Sequence, residues 1–94
     1  MTRVWGIVRI REKIARDIVV PIGDDGLDEA LEAVCLKLDV PRPVVLKKHY
    51  SEYAKFFRTR FLPGDFIEHV SFGAFEVEVL REKKKNETIR EEYL

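Results

Sequence analysis

Two histidines, one cysteine and seventeen carboxylates are the groups of this chain able to do acid–base, nucleophilic or metal chemistry. His49 stands near Ser51, and His69 stands near Asp65 and Glu68, so acid–base pairs can be drawn. Helices and turns of this composition offer such pairs by chance, and the motifs that would give them a role are missing. No glycine-rich loop follows a strand, since Gly23 and Gly26 only flank a helix start. There is no helical His-Glu-x-x-His, no pair of cysteines and no serine set between glycines. Cys35 falls on an apolar helical stripe, where a thiol is inert packing. Asp24 and Asp25 suit the first turn of a helix better than a cation, which would need further oxygen ligands at fixed spacing. The sequence therefore points away from an enzyme, and it implies no metal and no cofactor.

Two binding patterns remain. The stretch "HYSEYAKFFRTRFLPGDF" packs six aromatic rings and three basic groups into eighteen positions. At helical spacing Tyr50, Tyr53, Ala54, Phe57 and Phe61 share one face, with Phe56 beside them, while Glu52, Lys55 and Arg58 point away. Rings towards a core and cations towards water is ordinary amphipathic design. The alternative is a basic strip of Lys47, Lys48, Lys55, Arg58 and Arg60 that meets nucleic acid through its phosphates. The second pattern is apolar. In the first strand Val4, Gly6, Val8 and Ile10 alternate with Trp5, Ile7, Arg9 and Arg11, so Trp5 and Ile7 share a face opposite the valines. Val19 on the next strand joins them. A tryptophan beside two β-branched residues on an uncovered sheet face marks an association site for a protein partner or a second copy of the chain. That is the expected function; nucleic-acid binding is the alternative.

The elements that position these residues follow from periodicity. "TRVWGIVRIREKIARDIVVPI" reads as a β-hairpin that reverses near Arg11-Glu12-Lys13, without the Asn-Gly of a tight turn. Pro21 cannot donate a ladder hydrogen bond, which puts the second strand at a sheet edge. Leu27, Ala30, Leu31, Val34, Cys35 and Leu38 form one helical stripe, which Pro41 ends. "PRPVVLKKH" reads as an extended piece leading into a second helix, although Leu46 also fits a helix that starts earlier; that helix ends before Arg60, and Leu62-Pro63-Gly64-Asp65 then supplies a turn. "FEVEVL" alternates strictly, with Phe75, Val77 and Val79 inward and Glu76 and Glu78 outward. The expected fold is α+β in the order ββααβ: a small antiparallel sheet, first strand central, with two helices on one face. It occupies residues 1–80, and residues 81–94 read as a charged tail.

Ninety-four residues allow one core. With 46% apolar and 36% charged residues the chain reads as globular, and no apolar run is long enough for a membrane. A lone cysteine, and an N-terminus leading directly into a strand pattern, fit the cytoplasm. Net charge is zero, yet residues 17–40 carry −6 and residues 41–62 carry +5. Zero overall charge argues against strong non-specific nucleic-acid binding.

Taken together, the hairpin, "PRPVVLKKH", "RFLPGDFIEHVSF" and the final "FEVEV" resemble a family of short uncharacterised proteins from Gram-positive anaerobic bacteria. The resemblance spans residues 1–80 and implies a compact α+β domain with no assigned activity and no functional residues to carry over. "GIVRIREKIARDIVVPI" is also similar to the hairpin of swapped-hairpin DNA-binding transition-state regulators. Those proteins continue with a short helix and a second hairpin, whereas here two helices and one strand are expected.

Overall fold

Alternation in the N-terminal third produces two long strands, β1 (Thr2–Ile10) and β2 (Lys13–Ile22), in a computed structural model that describes residues 2–23 and 26–80. They pair antiparallel across a two-residue turn in which Arg11 and Glu12 both take positive φ, 56° and 69°. That mirror-image turn matches strand twist but normally takes Asn-Gly, because side chains crowd the backbone in the left-handed region. Arg9 donates to the Glu12 carbonyl at 3.3 Å and helps hold the tip.

The pairing shifts between Val8 and Arg9, leaving Ala15 as an extra residue. Ahead of this bulge Arg16 sits opposite Val8, on the apolar face, where it breaks the hydrophobic pattern. It is accommodated because its Nη1 donates to the Leu38 carbonyl at 2.7 Å, satisfying an orphan acceptor at the end of the first helix.

That helix, α1 (Leu27–Leu38), buries Leu27, Ala30, Leu31, Val34, Cys35 and Leu38, the stripe expected from their spacing. Its N-cap is Gly26, and the suggested caps Asp24 and Asp25 lie outside the described residues. Asp39 ends the helix at φ 58°. α1 crosses the face formed by Val4, Gly6 and Val8, and it comes so close at Gly6 that a Cβ there would overlap the Val34 side chain. Only hydrogen fits.

Residues 41–46 run without helix or strand into α2 (Lys47–Phe56). Here the helix departs from expectation. Its only fully buried residue is His49, while Tyr50, Phe56 and Phe57 remain exposed. The cause is Phe57, which takes φ 63° and turns the chain back on itself. "RTRF" then becomes β3 (Arg58–Phe61), a fourth strand not expected from the sequence, so Phe61 reaches the core from the sheet. A 3-10 turn at Pro63–Asp65 and an irregular stretch lead to β4 (Ala74–Leu80). The strand order is β2-β1-β4-β3, antiparallel throughout. The class remains α+β, with β1 and β4 central and α1 and α2 over one face. Phe61, Phe66, Phe72 and Phe75 pack with ring centroids 5.4–6.4 Å apart beneath α2 and the connecting loop.

Two outcomes follow from these contacts. Gly6→Ala should lower the unfolding free energy by about 1–3 kcal/mol through forced separation of α1 from β1, read by urea titration. Replacing Arg11-Glu12 with Asn-Gly should raise it by about 1 kcal/mol, because both positions already demand positive φ.

Candidate functional site

Alternation along β1 leaves every second residue pointing away from the helices, and Trp5 is among them. The paired strands order this open face into rows. Val19, Trp5, Glu78 and Arg58 are successive register partners across β2, β1, β4 and β3. The next row is Asp17, Ile7, Glu76 and Arg60. Between Trp5 and the outer strand lies a groove of about 600 Å³, lined by Trp5, Ile7, Arg9, Phe56, Arg58 and Glu78 among others.

Trp5 is half-buried, and its Nε1–H donates to Asp17 Oδ2 at 2.8 Å. Its polar edge is thus satisfied within the chain, by a residue of the second row. Ile7 is only 1% exposed and forms the floor. Val19, 45% exposed, lies one strand beyond Trp5 and outside the groove. Of the three residues expected to form an apolar patch, Trp5 and Ile7 belong to the groove and Val19 flanks it.

Charge fills the remainder. Glu76 is clasped from both sides, with Arg9 Nε 3.1 Å from Oε1 and Arg60 Nη2 2.7 Å from Oε2. Arg60 Nε also donates to Oε2 at 2.8 Å. The paired Arg9 and Glu76 have side chains only 26% and 17% exposed, so this link resists screening better than a surface pair. Arg58 and Glu78 are opposite one another, yet no ion pair joins them among the described residues.

The basic strip is divided by the turn at Phe57. Arg58 and Arg60 face the groove from β3, and Arg60 is neutralised by Glu76. Lys47, Lys48 and Lys55 are exposed on α2 and do not line the groove. Phe56, 64% exposed at the end of α2, is a wall of the groove that the sequence had assigned to the flank of a buried face. Nothing in a helical reading signals this, because its exposure follows from the chain reversing at the next residue.

The titratable groups behave as buried structure. Burial pushes the Cys35 thiol up to about 11, with Arg42 opposing, and its Sγ lies 3.8 Å from the Pro41 carbonyl. It is a neutral thiol at physiological pH. His49 is fully buried, its ring centroid 4.3 Å from that of Phe61. Its Nδ1 accepts the Leu46 N–H at 2.9 Å, which places the proton on Nε2, 3.8 Å from Asp65 Oδ2. Burial lowers its pKa below the usual 6.5, Lys48 adds to this, and Asp65 and Glu52 oppose it. Asp65 in turn accepts the Leu62 N–H and offers its carbonyl to Val44 N. The Val44 bond thus fastens the 41–46 segment to the 63–65 turn, while His49 holds the same segment at Leu46. His69 is exposed, and no cluster of three metal-ligating side chains occurs among the described residues.

No family model, no curated protein and no solved structure matches this chain, so the chemistry of the face rests on its own geometry.

A histidine whose pKa falls on folding leaves the unfolded state binding more protons, so its contribution is complete above 6.5 and is lost as pH drops below that value. His49→Asn keeps an acceptor for Leu46 N–H but cannot titrate. The variant should be less stable than the parent at pH 8, and the difference should narrow towards pH 5 in thermal melts.

Proposed function

We propose that this domain works by protein association through the open face of its sheet, with Trp5 at the centre of the contact. The observation that carries the reading is the groove, where an indole, the half-exposed end of α2 and Arg58, which has no ion pair among the described residues, surround an aliphatic floor. Interface centres favour this combination, because tryptophan offers a large contact area with little side-chain freedom to lose and arginine offers several directed N–H donors. Their polar edges are also prepared. Trp5 Nε1 already has its acceptor in Asp17, so covering the ring leaves no donor stranded.

The charge balance favours protein over nucleic acid. Three arginines and three glutamates line the groove. A phosphate backbone crossing it would meet Glu76 and Glu78, and the lysines that could offset them lie on α2, away from the face. A protein surface carries both signs and can answer both. No helix among the described residues is long and apolar enough to cross a membrane. The single buried thiol is compatible with work in the cytoplasm.

The test is truncation of the two aromatic walls. Trp5→Ala and Phe56→Ala, each confirmed as folded by thermal melting, should weaken association by roughly 30-fold or more, as expected at an interface centre. Association is read as solution mass above the 11.0 kDa of one chain or as retention of a partner protein. Binding of single-stranded RNA or duplex DNA at low salt, lost when Lys47, Lys48 and Arg58 are neutralised, would overturn the reading in favour of the basic strip.

A further inference from the structure

The open face carries its charges in strands of one sign. β4 turns Glu76 and Glu78 outward, and its neighbour β3 turns Arg58 and Arg60 outward, residue opposite residue. A line drawn along the strands between β4 and β3 thus separates acid from base. Two aromatic residues line the same groove: Trp5, which lies across Glu78 on β1, and Phe56, two residues before Arg58 in the chain.

We propose that the occupant of this face is a second copy of the chain, docked about a two-fold axis that lies along that line. The inference rests on the reading of the open face as an association surface, and it names the partner. Rotation about such an axis lays the acidic β4 of each copy over the basic β3 of the other. With strands about 4.8 Å apart, it sets Glu78 against the second copy's Arg58 and Trp5 against its Phe56. In the next row Arg60, already paired with its own Glu76, comes to face the Glu76 of the second copy.

Three observations make this partner fit. Arg58 and Glu78 are neighbours that form no ion pair with each other, so both retain charge for an outside partner. Arg60 remains 58% exposed while holding Glu76, leaving guanidinium N–H groups to donate further. The groove lining carries equal numbers of positive and negative side chains, so the face does not repel its own copy. A face of one sign would do so.

The experiment is charge reversal with complementation, using the full chain and sedimentation equilibrium over a concentration series. Arg58→Glu and Glu78→Arg should each weaken the dimer about tenfold or more, since each places like charges across the axis twice. The double variant should recover most of that loss. An equimolar mixture of the two single variants should form a heterodimer, because all cross-axis pairs again have opposite sign. Lys37→Glu makes the same net-charge change as Arg58→Glu on α1, away from the face, and should leave the mass unaltered. The mixture keeps the test valid if either single variant melts at lower temperature, since mixing cannot repair a fold. A parent chain that stays monomeric throughout overturns the inference. The face is then filled by residues 81–94 or by another protein, and retention of a partner that Trp5→Ala abolishes would preserve the association reading alone. A dimer indifferent to these reversals but sensitive to Trp5→Ala overturns the axis. A dimer indifferent to all of them overturns both readings.

Discussion

The contact between Gly6 and Val34 sets the geometry on which everything else depends. A strand has only two faces, and at Gly6 one of them must admit a helix at a distance that leaves no room for a methyl group. Once Val4, Gly6 and Val8 are committed to α1, the pleat leaves Trp5, Ile7 and Arg9 no choice but the opposite side. The same step fixes the register of β4. Because Val77 sits opposite Gly6 and Phe75 opposite Val8, Glu76 and Glu78 must face outward with Trp5. A slip of one residue would bury two carboxylates and expose a phenylalanine, a loss of several kcal/mol on transfer grounds alone. The arrangement of the open face is therefore a consequence of core packing.

Charge on that face is organised in the same manner. Glu76 lies in the second of the four strands counting from the β3 edge, within reach of Arg9 on one neighbour and Arg60 on the other. This ties three strands together across a short outer strand that has only four residues of ladder to hold it. Its other support comes from behind, where Thr59 donates to Glu52 of α2 at 2.7 Å and Phe61 stacks beneath His49. His49 is worth its burial cost there because it satisfies the Leu46 N–H that begins α2. The helix and the outer strand thus form one unit joined through a single turn at Phe57.

Much of the fold was legible from periodicity. The alternation in β1 and β4, the six-residue stripe of α1 and the edge placement demanded by Pro21 all reappear as read. Trp5 was correctly placed opposite the helices, because parity along a strand needs no tertiary knowledge. β3 was not legible. Four residues cannot establish a period of two against a preceding helix, and the aromatic spacing from Tyr50 to Phe61 also satisfies a period of 3.6. The decisive residue is Phe57, whose left-handed backbone no propensity would forecast for an aromatic side chain. Missing it hid the pairing of Arg58 with Glu78 and of Arg60 with Glu76, and it hid Phe56 as a groove wall. The charge segregation along the chain is the faint trace of that pairing: residues 41–62 carry +5, and residues 63–80 hold four acidic side chains and no lysine or arginine.

Trp5 is the only tryptophan of the chain, so its fluorescence reports directly on the face where association is proposed. The most direct measurement is quenching of that emission by acrylamide as protein concentration rises through the range in which mass increases. Burial of the groove against a second copy should shift the emission to shorter wavelength and reduce quenching, with the same midpoint as the mass. Emission and quenching that stay constant while the mass doubles would place the contact elsewhere and contradict the central claim.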